Sequence, residues 1–367
     1  MTLSDSFATL RPRIDEATAT SLATLLARAG ASGRSEEFSR AVLASVSGGK
    51  RFRALMAHVG YALSSGTALD RVSLPHLSAA LELYQASALV HDDIIDKADE
   101  RRGIPTPHRT LADHHASSSW IGSSTDFGRH AAILVGDFLF SAATAAADEQ
   151  ALTLREDCAR AFTTRFADMH AEVALGQYLD ITAEQTRLYP ERTDALSTSD
   201  SLEVALHKSA HYSVVHPAIL GAICGAPSIA DVAELLDILD TILTPWGLAF
   251  QLRDDDLGVF GDPAVTGKPA GDDLREGKRT ALLALTWEAS SPAERRALTD
   301  VLGVAEASAQ QIATATEIVE RNGRAAHEAE IARLVADGHA ALDASGFDDD
   351  ARAMARDLCS LLTARRA

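Results

Sequence analysis

The sequence predicts an all-α protein, and three observations carry that prediction. Apolar residues recur at i, i+3, i+4 and i+7 through most of the chain, the spacing of a helix with one buried face. No sustained alternation of period two competes with it. Alanine and leucine, both strong helix formers, are abundant, while aromatics make up only 5% of the residues. No internal repeat and no linker long enough to separate domains is visible, so one domain over residues 1–367 is expected.

Taken in order, SLATLLARAG, AVLASV and ALMAHVGYAL are the first helical segments. LSAALELYQASALVHDDIID joins an apolar run to a cluster of acids, and RRGIPTPHRT then breaks the pattern with Gly and Pro. HHASSSWIGSSTDFG reads as a long polar loop before AAILVGDFLFSAATAAADE resumes the helical period. LYPERTDALSTSD separates two further helices. LEVALHKSAHYSVVHPAILGAIC and ADVAELLDILDTILTPWGLAFQLRDD follow, with Pro217 and Pro245 expected to kink or interrupt them. GVFGDPAVTGKPAGDD is a third loop, and beyond residue 280 the chain reads as plain amphipathic helices to its end.

Composition narrows the function. The chain is 46% hydrophobic and 23% charged, an ordinary globular balance, and its formal charge of -18 argues against a nucleic-acid partner. No apolar run reaches the roughly 18 residues of a membrane span, so no transmembrane segment is expected. The first residues lack the basic and apolar regions of a secretory signal. Cys158, Cys224 and Cys359 match no metal spacing and read as reduced thiols, which fits a cytoplasmic location.

Two acidic clusters carry the chemistry. In VHDDIIDKADERRG, Asp92 and Asp96 lie at i and i+4 on one helix face with Asp93 beside them. Gathered like charges destabilise a helix unless a cation arrives, and carboxylate oxygens are hard ligands suited to Mg²⁺. A solvated acidic helix end is the competing reading of this motif alone. FQLRDDDLGVFGDP supplies Asp254, Asp255 and Asp256 at the close of a second apolar helix. Two such clusters can face each other across a cavity and hold several divalent ions against one polyanion.

Basic groups accompany the acids. Only Lys50, Lys97, Lys208, Lys268 and Lys278 are lysines among 34 basic residues, so each marks a place where a compact ammonium matters. SGGKRFR sets Lys50, Arg51 and Arg53 after two glycines, where backbone and cations can approach a phosphate together. Arg101 and Arg102 follow the first acidic motif, and TGKPAGDDLREGKRT adds Lys268 and Lys278. Basic clusters beside acidic ones in an acidic chain indicate a metal–diphosphate site.

In the order GGKRFR, HDDIIDKADERRG, GDFLF, FQLRDDDLGVFGD and TGKPAGDDLREGKRT, these motifs resemble those of the trans-isoprenyl diphosphate synthases, or polyprenyl synthetases. The likeness spans roughly residues 40–290 and is greatest to bacterial geranylgeranyl diphosphate synthases. It implies a helical bundle of the isoprenoid synthase type around a deep apolar cavity, a homodimer, and three Mg²⁺ ions per active site. Asp92 and Asp96 then match the ligands of two ions, with Asp93 in support. Asp254 matches the main ligand of the third, with Asp255 and Asp272 in its outer shell. Lys50, Arg53, Gln85 and Arg102 match the groups that bind the diphosphate of isopentenyl diphosphate. Arg101, Lys208 and Lys268 match those that grip the allylic diphosphate, with Lys278 near them. Gln251, beside Phe250, matches a polar residue near the reacting carbons, so Lys208, Gln251, Arg101 and Lys268 form the implied catalytic set. One departure stands out: Gly258 occupies the last place of the second motif, where the family has an aspartate, and Asp256 or Asp262 is the expected substitute.

The implied reaction is head-to-tail prenyl transfer, in which Mg²⁺ and cationic side chains stabilise charge on the departing diphosphate. The diphosphate itself takes the final proton. His91, next to Asp92, reads as a polar neighbour rather than a base. Residues four and five before Asp92 lie about one helical turn deeper. They are Ala88 and Ser87, both small, which in this family admits products beyond C15; Tyr84, Phe138 and Phe140 can close the pocket below. Geranylgeranyl diphosphate, C20, is the expected product, with farnesyl diphosphate or longer chains as alternatives. A class I terpene cyclase would lack GGKRFR and the second acidic motif. A phosphohydrolase using His91, Asp92 and other histidines such as His58 leaves that motif and the lysines unexplained. An inactive regulatory subunit is opposed by the intact Asp92, Asp93, Asp96, Arg101, Arg102 and Lys50.

Overall fold

The computed structural model describes residues 3–261, 271–304 and 306–363, and these are almost entirely helical. The elements are α1 (Leu3–Arg28), α2 (Glu36–Ser45), α3 (Phe52–Ser65), α4 (Pro75–Ile95), β1 (Glu100–Arg101), β2 (Ile104–Pro105), α5 (Pro107–Ser117), α6 (Ser124–Ala151) and α7 (Glu156–Gln185). They continue with α8 (Thr198–Ala205), a π-helix (Leu206–Val215), α9 (His216–Gly225), α10 (Ile229–Phe260), α11 (Asp272–Glu276) and α12 (Ala281–Ala289). The last four are α13 (Pro292–Thr299), α14 (Ala309–Asn322), α15 (Arg324–Ala344) and α16 (Asp349–Thr363). Contacts group these into two compact units, Met1–Phe166 with Pro217–Ala233, and Ala167–His216 with Glu234–Ala367.

In the first unit α4 packs most extensively on α6, and α1 and α3 also lie against it. Leu77, Leu81 and Leu83 of α4 and Leu139 of α6 are fully buried there, so the helix that ends in the acidic motif is held from several sides. The second unit is built around two buried tryptophans. Trp287 donates to the Arg192 carbonyl (2.9 Å) and Trp246 to the Val335 carbonyl (3.3 Å), so neither indole N–H is left without an acceptor.

Helix starts follow local chemistry. Pro75, Pro107 and Pro292 sit in the first turns of α4, α5 and α13, where a missing N–H is harmless. Ser291 with Glu294 and Ser308 with Gln311 form reciprocal capping boxes. The expected long loop at HHASSSWIGSSTDFG is far shorter, because α5 runs through Ser117 and Ser123 caps α6 by accepting from the Asp126 N–H. His114 and His115 pack edge-on against Trp120, which ties the remaining turn down. The helical segment changes type just before Pro217, but α10 continues through Pro245, where an interruption was equally expected.

The patterning showed no strand, yet β1 and β2 form a two-residue antiparallel ladder. Arg102 and Gly103, the two residues between them, both have positive φ (56° and 72°), the requirement of a type I′ hairpin turn. Helices α6 and α10 are, against the sequence expectation, long and apolar enough to cross a membrane by length and composition; 44% of each apolar window is buried inside the fold.

Candidate functional site

The first acidic motif lies at the C-terminal end of α4, with Asp96 as the closing residue. A helix C-terminus carries partial negative charge, so carboxylates there raise the local need for a cation. Asp93 is buried and accepts from Arg101 Nε at 2.7 Å, while Arg101 Nη2 also reaches Asp92 at 3.4 Å. Burial pushes the Asp93 carboxyl up, against the hydrogen bond and charge of Arg101. Asp93 therefore anchors the arginine, and Asp92 and Asp96 stand one turn apart on the partly exposed face. Their oxygens are the donor set that Mg²⁺ takes, and the residues fit such an ion.

The hairpin turn carries Arg102 over the Gly48–Gly49 loop. A Cβ at Gly49 (φ 94°) would lie 3.0 Å from Arg102 Nη1 and 3.3 Å from Nη2, so glycine is needed both for the backbone conformation and for the close approach of the guanidinium. Arg102 also donates to the Ser47 carbonyl at 3.2 Å. Burial and the neighbouring Arg101 and Arg51 charges lower its pKa, the mark of a cation-rich pocket suited to an anion. Lys50 is exposed beside it, and Arg53 and Gln85 are half-buried. Arg51 departs from the expected role. It is buried, with Nε 2.5 Å from Asp15, Nη1 3.4 Å from Glu82 and Nη2 donating to the Val46 carbonyl, so it braces the loop from behind. A cavity of about 290 Å³ opens behind the hairpin, with Asp93, Arg101, Arg102, Ala86 and Val90 in its wall.

Below the motif, Ser87 is buried and donates to the Gly136 carbonyl of α6 at 2.8 Å, so its hydroxyl serves helix packing. Ala88 is half-buried. Tyr84 meets Phe140 edge-on at 5.9 Å, whereas Phe138 packs on Phe38 of α2 at 5.8 Å, so these aromatics divide into two sites. Gly136, in the GDFLF motif, is the notch that receives His91: a Cβ there would fall 2.2 Å from its Nε2. His91 approaches the Ile133 carbonyl at 3.4 Å and Asp137 at 3.6 Å, contacts of a polar neighbour.

In the second unit the last turns of α10 carry the other cluster. Asp256 is not available as a substitute ligand: it is buried and held by both Arg324 Nε (3.0 Å) and Nη2 (3.3 Å) of α15. Asp255 is buried and accepts from Gln251 Nε2 at 2.8 Å, which commits Gln251 to the cluster. Asp272 pairs with Arg275 at 3.2 Å. Its neighbour Asp273, overlooked in the sequence, also reaches the cluster. A Cβ on Gly258 would lie 1.9 Å from Asp273 Oδ2, so Asp273 fills the space that the missing aspartate side chain would need. The only sequence signal for this was a second aspartate beside Asp272.

Burial, with the charges of Asp273 and Asp254, pushes Asp255 up to about 8, against the Gln251 hydrogen bond and the Lys278 charge. A carboxyl raised in the folded state contributes stability that is fully present below its unfolded pKa of about 4 and is lost as pH rises towards 8. The Asp255 contribution to the melting temperature of metal-free protein should therefore slope downward from pH 5 to pH 8, against the upward slope below about pH 6.5 from His58, His170 and His327, which burial lowers to about 4. Asp255→Asn should remove the downward part in EDTA-treated samples followed by circular dichroism; parallel curves would remove this group from the account.

Lys208, on the π-helix, is paired with Asp180 of α7 at 2.5 Å, and Lys278 with Glu276 at 3.2 Å. Lys268 and Asp262 lie outside the described residues.

The polyprenyl synthetase family model matches residues 35–319 of the chain. A geranylfarnesyl diphosphate synthase of Aeropyrum pernix is 32% identical over 278 residues, covering 75% of this chain and 77% of that protein. A geranylgeranyl diphosphate synthase of Mycobacterium tuberculosis is 32% identical over 296 residues, covering 79% and 74%. Among solved structures, a geranylgeranyl pyrophosphate synthase from Corynebacterium glutamicum, complexed with isoprenyl diphosphate and magnesium, is 34% identical with a TM-score of 0.85, each chain covered in full.

Proposed function

The chain belongs to the polyprenyl synthetase family and is a prenyltransferase, and on that premise we propose that it joins isopentenyl diphosphate head to tail to allylic diphosphates and releases geranylgeranyl diphosphate, C20. The observation that carries the chain length is the side chain one turn before Asp92: Ala88 offers only a methyl group. The named relatives differ among themselves in product, geranylfarnesyl in one and geranylgeranyl in another, so the family alone leaves the length open. With Ala88 small, the Tyr84–Phe140 pair supplies the floor, and C15 or chains beyond C20 are the alternative outcomes.

Asp92 and Asp96, and separately Asp254 with Asp255 and Asp273, are the groups that would hold Mg²⁺, three ions in all. The metal, when bound, neutralises charge growing on the departing diphosphate. Arg101, aimed by Asp93, would grip the allylic diphosphate, the role that the family motifs also give Lys208 and Lys268. Lys50, Arg53, Gln85 and Arg102 hold that of isopentenyl diphosphate, and Lys278 supports the second cluster. Gln251 acts through Asp255. Exposed Ile133 and Leu134 on α6 are apolar surface suited to a second copy, consistent with a homodimer.

Purified protein with Mg²⁺, isopentenyl diphosphate and C5, C10 or C15 primers should give mainly C20 by mass. A C15 stop would move the floor up towards Tyr84, and no elongation from any primer would favour an inactive regulatory subunit. Gly49→Ala should raise KM for isopentenyl diphosphate about tenfold while kcat changes little, because the added methyl displaces Arg102. An unchanged KM would detach Arg102 from that substrate.

A further inference from the structure

Glu172 of α7 receives three histidines from the segment that starts with the π-helix. Its Oε1 lies 2.7 Å from His207 Nδ1 and 2.5 Å from His211 Nδ1, and its Oε2 lies 2.6 Å from His216 Nε2. Ligand atoms of Glu172, His211 and His216 all fall within 4.8 Å of one another. The helix type makes this convergence. At 3.6 residues per turn, nine steps from His207 to His216 would turn them about 180° apart. The π-helix bonds i to i+5, as the His216 N–H does to the His211 carbonyl, and nine steps then complete about two turns. The three rings consequently share one face, edge-on to each other at 6.1 Å and 5.9 Å between centroids.

We propose that Glu172, His211 and His216 form a site for a divalent transition metal, Zn²⁺ foremost, separate in chemistry from the aspartate motifs, with His207 bonded to Glu172 outside the ligand set. Imidazole nitrogens with one carboxylate are the donors Zn²⁺ prefers over the all-oxygen set of Mg²⁺. Tetrahedral Zn²⁺ places its ligand atoms about 3.3 Å apart; the present contacts open by roughly 0.7 Å to admit it. The outer shell is begun as well. Thr244 Oγ1 lies 3.5 Å from His211 Nε2, the ring nitrogen left over when Nδ1 ligates. Burial opposes ionisation of Glu172, but hydrogen bonds from the three rings hold its carboxyl well below the usual range, so it is an anion at neutral pH. The site fixes the segment that carries Lys208, one residue after His207. It does not depend on the prenyl-transfer reading.

The test uses full-length protein stripped of metal and returned to excess Mg²⁺, which occupies hard-oxygen sites. Titration with Co²⁺ should show visible absorption of a low-symmetry nitrogen–oxygen site, saturating at one equivalent per chain and bleached by one equivalent of Zn²⁺. His211→Asn and His216→Asn should each weaken Zn²⁺ binding at least tenfold, with helix content checked by circular dichroism. Should the buried His216 variant fail to fold, Glu172→Gln takes its place. Absence of the Co²⁺ bands in the wild type, or binding unchanged in the variants, would overturn the proposal and leave Glu172 as a hydrogen-bonded clamp.

Discussion

Asp92→Asn should lower kcat by about 10²–10³, the loss typical when one electrostatic contact to a developing charge is removed. Stability should hardly move. Asp92 is partly exposed, and its contact with Arg101 is the longer of the two, 3.4 Å against 2.6 Å for Asp93. Asp93→Asn should show the opposite balance. Its side chain is 3% exposed and holds a guanidinium that is 29% exposed, so losing the charge should destabilise the fold by about 2 kcal/mol. Activity would fall too, through misplacement of Arg101. The pair separates ligand from anchor, although the two aspartates are adjacent and identical in sequence. Kinetics with thermal melts decides it: an Asp92→Asn enzyme keeping a tenth of wild-type kcat would end the assignment of that residue to metal.

Much of this was legible because the signals are local. Helical period, acids at i and i+4, and glycines before cations are all properties of a few neighbouring residues, and DDIID and GGKRFR fall where their spacing placed them. What stayed hidden depends on partners distant in the chain. Arg51 and Arg53 look alike in the sequence, yet Arg51 is buried against Asp15 and Glu82 and turns inward. Asp256 looked like a spare ligand until Arg324, 68 residues on, was seen to hold it. The histidines were missed for a different reason. Reading HKSAHYSVVHP with a 3.6 period sends His207 and His216 to opposite faces, and nothing local announces a change to i+5 bonding. The short ladder around Arg102 and Gly103 was likewise below the length at which alternation can be counted.

Gly258→Asp should impair the protein, although it restores the aspartate that the family motif has at this place. The space is already taken: a Cβ there would meet Asp273 Oδ2 at 1.9 Å, Cγ at 2.4 Å and Oδ1 at 2.8 Å. Even an alanine would have to push that carboxylate aside. An aspartate would also add a like charge to Asp254, Asp255 and Asp273, where repulsion and burial already raise Asp255 to about 8. Overpacking of this kind destabilises by about 1–3 kcal/mol, and displacement of Asp273 should reduce activity at least tenfold, with the loss partly recovered at high Mg²⁺. The double variant Gly258→Asp with Asp273→Gly moves the carboxylate from one chain segment to the other. It should regain much of the activity and stability, giving a coupling well beyond the few tenths of a kcal/mol expected of independent sites. Asp273→Asn alone should weaken Mg²⁺ dependence without the packing defect, which separates charge from volume. If Gly258→Asp proves as stable and active as the wild type, Asp273 does not occupy that place. The glycine would then be a departure from the motif with no compensating partner.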